Sequence, residues 1–366
     1  MRVRLFFIAA IAFLSGSTCS MPWENRESPE LTIVSYNAHN LFDAVDDGNE
    51  YPEFSLSSGK WNADLYGKRL ENTAAALRSF FPEGDRTPDI ICLQELESEK
   101  VLTDLARGAL KAGGYRWIAL GGPAGSAIKC GILSRYPFAS LRAHALADTW
   151  GFGPSRDVLE ATFDLNAKGS RLTLFVCHWK SRREGPAVTE VARRASSALV
   201  ARRIAEIIAA DPGRCVVVCG DFNESPDEFE RAGGRYPTAF MPDPRGSSYS
   251  PEPGSGGVPE DWLDGVIRVS GRPSDLSLGG EGTVLYSPWY GNEGFSYIFG
   301  GEEERLDGFL LGPALLDGKG PEFLRFMVNE DPSLFDENGH PAAWNGFSGF
   351  SDHLPIALTI TKGEGG

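Results

Sequence analysis

The sequence predicts an α/β domain with a mixed sheet system, and three observations carry that prediction. Short apolar runs such as 89–93 and 215–219 read as strands buried on both faces. Between them lie longer segments whose apolar residues recur at helical spacing. No internal repeat, linker or charge block marks a boundary, so a single domain over residues 31–361 is expected, after a short linker at 21–30 and before a tail at 362–366.

Taken in order, residues 31–36 alternate as a strand, and 65–81 have helical spacing up to Pro82. Residues 89–93 form a buried strand. A helix over 100–112 is stopped by Gly113-Gly114, and strands at 116–120 and 129–133 flank a glycine-rich loop. Residues 158–165 and 171–177 pair as a hairpin, 188–210 is a long amphipathic helix, and 215–219 is another buried strand. The stretch 233–257, rich in Pro, Gly and Ser, is expected to be a surface insertion. Residues 306–311 and 354–360 are the last two strands.

Composition narrows the function classes. The 22 Phe and 8 Trp exclude a disordered chain, and a net charge of −15 argues against a scaffold that coats nucleic acid, which needs clustered Lys and Arg. An enzyme that visits a polyanion remains compatible with that charge. Arg2 and Arg4 precede an apolar run at 5–14 and small residues at 15–20, the pattern of a signal peptide over residues 1–20. Its removal would take the net charge from −15 to −17. Cys19 offers an alternative end to that leader, as a lipid-bearing residue anchoring the protein to the bacterial envelope. Both readings place the protein outside the cytoplasm, as an extracellular, periplasmic or envelope-anchored species. The other five cysteines, scattered through apolar runs, are expected to be small core residues.

The chemistry stands at the ends of the buried strands. Asn37 ends the first, Gln94-Glu95 the second and His178 the hairpin; Asp221 and Asn223 follow Cys219, Asp307 opens a late strand, and Asp352-His353 precede the last. Distant residues placed at strand ends can converge on one rim of a sheet. Carboxylates, amides and imidazoles without a nucleophilic Ser or Cys suit a hard divalent cation and a hydrolysis in which water attacks phosphorus.

The segments Ser35-Tyr36-Asn37, Leu93-Gln94-Glu95, His178-Trp179-Lys180-Ser181, Gly220-Asp221-Phe222-Asn223, Leu306-Asp307 and Ser351-Asp352-His353 resemble, in order, the motifs of the endonuclease/exonuclease/phosphatase superfamily. The likeness is closest to its bacterial secreted predicted nucleases. It implies a four-layered α/β sandwich, two mixed β-sheets face to face with helices on the outside, and a metal-dependent phosphoric ester hydrolase. Carried over residue by residue, it implies Asn37, Glu95 and Asp352 as metal ligands, with Glu95 the main one, and Mg2+ (or Mn2+) as cofactor. It also implies His353 as general base or transition-state partner, oriented by Asp307, with Asp221 orienting or deprotonating water and Asn223 donating to a phosphoryl oxygen. Arg156 resembles the family's phosphate-binding arginine. At the position of His178, pancreatic-type deoxyribonucleases back the histidine with a glutamate near Lys129. Here 128–131 offers no carboxylate, so His178 is assigned phosphate binding rather than proton delivery.

Other features have plainer readings. His39, His144 and His340 are expected to be structural. The basic stretch Lys180, Arg182, Arg183, Arg193, Arg194, Arg202 and Arg203 reads as a solvated helix face, with the first three, in the preceding loop, as candidates to grip a phosphate backbone. The aromatic run from Trp289-Tyr290 to Phe299 is expected to pack at core or rim, with base stacking or lipid contact as alternatives. The leading function is a secreted or membrane-anchored phosphodiesterase acting as a nuclease on DNA or RNA, a monomer that forms no stable nucleic-acid complex. The alternatives are a sphingomyelinase-like or inositol-phosphate hydrolase, and an inactive surface binding lipoprotein.

Overall fold

The computed structural model describes residues 28–81, 87–123, 125–146, 151, 157–166, 168–244, 258–278 and 282–363. The leader, Cys19, Arg156 and residues 245–257 lie outside that set.

The strands are, in chain order, β1 (Glu30–Leu41), β2 (Ile90–Leu96), β3 (Trp117–Gly121), β4 (Lys129–Ser134), β5 (Ser140–His144), β6 (Val158–Asp164), β7 (Arg171–His178) and β8 (Cys215–Asp221). There follow β9 (Phe240–Pro242), β10 (Ile267–Ser270), β11 (Thr283–Tyr286), β12 (Tyr297–Phe299), β13 (Glu302–Glu304), β14 (Asp307–Leu311), β15 (Phe323–Val328) and β16 (Ile356–Thr361). One sheet has the order β15-β16-β1-β2-β4-β3, the other β5-β6-β7-β8-β14-β11-β10-β9, and β12-β13 is a separate hairpin. Both large sheets are mixed: β1–β2 and β7–β8 run parallel, β1–β16 and β8–β14 antiparallel.

The sheets pack face to face, and the period of two in each strand explains how. Ile33, Cys92 and Ile132 of the first sheet meet Leu174, Val217 and Phe309 of the second in a shared core. Their neighbours face outward. Val34 and Leu93 pack with Leu77 of α1 (Ala63–Arg78) and Leu102 of α2 (Glu99–Arg107). Val216 and Val218 pack with Val200 and Ile204 of α3 (Pro186–Ala210). The result is the expected sandwich of two sheets with helices outside. Because helices cover the far faces, the central strands are apolar on both sides and read as continuous runs.

The helix boundaries follow local chemistry. The Asn62 side chain caps α1 by accepting from the amides of Asp64 and Leu65, 3.0 Å each. The helix expected over 100–112 is shorter. It stops at Gly108, whose backbone would bring a Cβ to 2.6 Å from the Asp104 carbonyl oxygen, and only a 3-10 turn at Lys111–Gly113 follows. Pro186 opens α3 in the position where its missing N–H costs nothing.

The 233–257 stretch is not wholly a surface excursion. Its segment β9 is buried and pairs parallel with β10, closing one edge of the second sheet. Cys92, Cys130, Cys177, Cys215 and Cys219 are all free and buried, as small core residues. No helix among the described residues is long and apolar enough to cross a membrane.

Candidate active site

The two sheets end together at one rim, and their registers put polar residues side by side there. His178 is opposite Asp221 in the β7–β8 ladder, and Asp307 is opposite the same Asp221 in β8–β14. Three potential proton or metal ligands therefore stand in a row on three adjacent strands. Gly220 permits this closeness: its φ is 135°, and a Cβ there would fall 1.9 Å from the Cys177 carbonyl oxygen. From the first sheet, Asn37 reaches across. Its Nδ2 donates to Asp221 Oδ2 at 3.0 Å and to Glu95 Oε1 at 3.2 Å, joining the two sheets through one amide.

Asn37 and Glu95 sit where strand pairing breaks. The β1–β2 register shifts between Asn37 and Leu41, and β2–β4 shifts between Leu93 and Leu96. Among the described residues, His39, Asn40, Glu95 and Asn223 are the only non-glycine residues with positive φ, and all four belong to this rim. Such conformations cost of order 1 kcal/mol or more each and persist where surrounding contacts hold them. Here Arg69 of α1 does so: fully buried, its guanidinium donates to the carbonyls of Ala38, His39 and Phe350. One helix side chain thus ties the loop after Asn37 to the segment before Asp352. Burial lowers its pKa to about 10, with Tyr36, Asp352 and Glu95 opposing the fall. Glu95 is fixed in turn, since its Oε2 accepts the Asn40 amide at 2.9 Å.

Asp307 Oδ2 is 2.6 Å from His353 Nδ1, and the other ring nitrogen, Nε2, lies 3.9 Å from Asp221 Oδ2. Burial alone would lower the His353 pKa, but Asp307 and Asp221 outweigh it and hold the imidazole well above its usual range. Burial pushes the Asp221 carboxyl up to about 7 against the pull of His353, with Asp307 and Glu95 adding to the rise. Ligand atoms of Asp221, Asp307 and His353 all lie within 4.8 Å of one another. The 2.6 Å contact commits His353 Nδ1 to Asp307 and turns Nε2 toward Asp221.

His178 is also buried here. Its Nε2 is 3.5 Å from Asp221 Oδ2 and 3.6 Å from Glu95 Oε1, so the carboxylates near it come from the rim rather than from the neighbourhood of Lys129. Asn223 forms an Asx turn, its amide donating to Asp221 Oδ1 at 2.8 Å, while its Nδ2 donates to the Trp179 carbonyl at 3.2 Å. One N–H of that side-chain amide remains for a phosphoryl oxygen. Asp352 approaches from the far side, Oδ1 3.5 Å from His39 Nδ1, outside the Asp221–Asp307–His353 group. His39 therefore does have a carboxylate companion, contrary to its purely structural reading.

The basic stretch is corrected most. Arg182 is held by Glu228 and Glu304, and Lys180 Nζ is 2.9 Å from Glu184 Oε1, so both face protein carboxylates. Arg193 is buried between Glu190 and Glu224, Arg194 donates to the carbonyls of Thr238 and Trp262, and Arg203 grips Glu160. These are packing cations, not a solvated face. Arg183 and Arg202 are exposed. Arg156 lies outside the described residues. The aromatic run packs at core and rim, as the sequence leads one to expect, and two of its rings also touch the candidate site. Trp289 is buried, and its Nε1 donates to the Asp307 carbonyl at 2.8 Å; Tyr297 lies over His353, ring centroids 4.6 Å apart. The only sequence signal for these was aromatic density close to Asp307.

This rim, with its carboxylates, amide and carboxylate-bound imidazole, is accompanied by a match of residues 32–234 to the model of the Endonuclease/Exonuclease/phosphatase family. The chain belongs to that family. Members of the endonuclease/exonuclease/phosphatase family are metal-dependent phosphoric ester hydrolases, and the acidic cluster is of a kind that binds a divalent ion. Among solved structures, TDP2 from Caenorhabditis elegans is 17% identical, with TM-score 0.51, over 91% of this chain and 74% of that one. The mannosyl-6-phosphatase Bt3783 of Bacteroides thetaiotaomicron is 15% identical, with TM-score 0.50, over 90% of this chain and 99% of that one. These likenesses establish the shared fold. No curated protein matches the sequence.

Proposed function

We propose that the protein is an exported nuclease that hydrolyses phosphodiester bonds in DNA or RNA. The observation that carries the hydrolytic reading is the Asp307–His353 pair facing Asp221 beside Glu95. The donor set fits a hard divalent cation: Glu95 supplies a carboxylate and buried Asp307 Oδ1 has no hydrogen-bond partner, while Asn37 beside them turns its Nδ2 to Glu95 and its Oδ1 to the His39 amide at 2.9 Å. Glu95 is the main protein ligand in this reading, with Asn37 beside it and Asp352 at the rim, and Mg2+ or Mn2+ the resident ion. When bound, such a cation neutralises charge developing on phosphoryl oxygens.

The chain's own groups do the rest. His353, kept protonated by Asp307 and Asp221, donates to the phosphoryl group as negative charge grows there. Asp221, with its raised pKa, accepts a proton from attacking water, and Asn223 and His178 orient phosphoryl oxygens. Arg183, exposed in the loop after His178, is placed to meet a flanking phosphate. Export rests on the leader pattern at residues 1–20.

A second reading rests on one further feature. A cavity of about 590 Å³ beside the rim is lined by Asp352, His340, Asn345 and Ser348 together with apolar Ile298 and Phe350, a mixed wall that suits a sugar phosphate monoester. The purified chain with Mg2+ should be offered plasmid, RNA, sphingomyelin, inositol phosphates and a sugar phosphate. Cleavage of plasmid or RNA, with a KM that rises in Arg183→Gln while kcat for a small phosphodiester stays unchanged, supports the nuclease reading. Turnover of the sugar phosphate alone would replace it.

A further inference from the structure

A second set of acidic groups gathers where β1 and β2 end. Glu97, two residues beyond Glu95, is 3% exposed, and its Oε2 accepts the Asp43 amide at 2.6 Å. Its Oε1 is buried without any hydrogen-bond partner. Ligand oxygens of Glu97, Asp47 and Glu50 all lie within 4.8 Å of one another. The nearby Lys129 Nζ is occupied by the carbonyls of Glu97 and Ser126, 2.7 Å each, rather than by these carboxylates. A buried carboxylate oxygen without a hydrogen-bond partner beside two further carboxylates is expensive even with the Lys129 ammonium nearby, and a cation bound by three carboxylates removes that cost.

We propose that Asp47, Glu50 and Glu97 form a structural cation site of the calcium class, separate from the hydrolytic rim. All three donors are hard oxygens, and two lie in the loop after β1, whose backbone carbonyls can add to them, which suits the larger ion with its higher coordination number. The consequence is mechanical. Glu97 N donates to the Leu41 carbonyl at 3.2 Å, so a cation here clamps the loop that follows Asn37 to the strand end that carries Glu95. The site holds in place the irregular backbone from which the hydrolytic residues project.

The experiment uses the full chain and terbium as a calcium probe. Trp61, whose Nε1 donates to the Asp43 carbonyl at 2.6 Å, is placed to sensitise the ion. Excitation of tryptophan should give saturable terbium luminescence that Ca2+ displaces well below the Mg2+ concentration needed. Asp47→Asn and Glu97→Gln should each weaken that binding by roughly tenfold or more, while Glu95→Gln leaves it in place. Ca2+ should also raise the Tm of the unsubstituted chain by at least about 2 °C and that of Asp47→Asn by less. Asp47 is exposed, so its variant tests the site even where Glu97→Gln fails to fold. A terbium signal lost in Glu95→Gln but kept in Asp47→Asn, equal displacement by Mg2+, or no saturable signal with no Tm response would each overturn the proposal. None of these outcomes depends on the nuclease reading.

Discussion

Asp307 and His353, 46 residues apart in sequence, meet through a 2.6 Å contact between Oδ2 and Nδ1 in the buried floor of the rim. The carboxylate holds the imidazole's orientation and charge, so the two are expected to act as one unit. Asp307→Asn and His353→Ala should lower kcat by similar factors, about 10²–10⁴, and the double variant should be little worse than either. Steady-state kinetics on all three enzymes check this; independent multiplicative losses would contradict it.

The same contact sets a pH dependence. Because Asp307 and Asp221 raise the His353 pKa, activity that needs the imidazolium extends to higher pH than an ordinary imidazole would allow and falls as pH rises past that pKa. Asp307→Asn removes the larger support and should move the alkaline limb of the kcat/KM profile to lower pH. Stability has the same sign. A pKa raised in the fold contributes stability below the unfolded value near 6.5 that is lost as pH rises through the folded value. Tm should therefore fall less steeply with rising pH above about 6.5 in Asp307→Asn than in the unsubstituted chain.

Glu95 tests the metal reading. Glu95→Gln keeps the side-chain shape and its bond from the Asn40 amide but removes the charge. Rate should fall by orders of magnitude with little change in Tm, and chelator should abolish turnover until Mg2+ or Mn2+ is restored. Full turnover in excess chelator would defeat the assignment.

Gly220 is a structural prediction close to the chemistry. A methyl group there would collide with backbone of Cys177, not with a flexible side chain, and β7 and β8 would have to separate. Gly220→Ala should lower Tm clearly and reduce activity further than the remaining folded fraction explains, because His178 and Asp221 lose their spacing. Circular dichroism melts beside kinetics at a permissive temperature measure the two effects.

Arg193 is expected to matter for folding alone. Its guanidinium lies between Glu190 and Glu224, and burial pushes the Glu224 carboxyl well above its ordinary range, with Glu190 adding and Arg193 opposing. Removing the cation strands two buried acids. Arg193→Ala should cost about 3–5 kcal/mol in denaturant unfolding, whereas exposed Arg202→Ala should stay within about 0.5 kcal/mol.

Much of this molecule is legible in the chain itself, for local reasons. A strand covered on both faces must be apolar throughout, so 89–93 and 215–219 announce themselves, and a polar residue ending such a run marks the rim where Asn37, Glu95, His178 and Asp221 stand. Tertiary structure alone decided how those ends meet. Nothing near Asn37 in sequence says that its amide will bridge Glu95 and Asp221, or that Arg69 of a distant helix will clamp the loop beside it. Charge misleads most in one dimension: the basic stretch after His178 looks free until folding brings Glu304 to Arg182 and Glu224 to Arg193. Periodicity and turn chemistry act between neighbours and survive in the sequence, whereas ion pairing and ring contacts such as Tyr297 over His353 depend on sheet register, which only the packed chain defines.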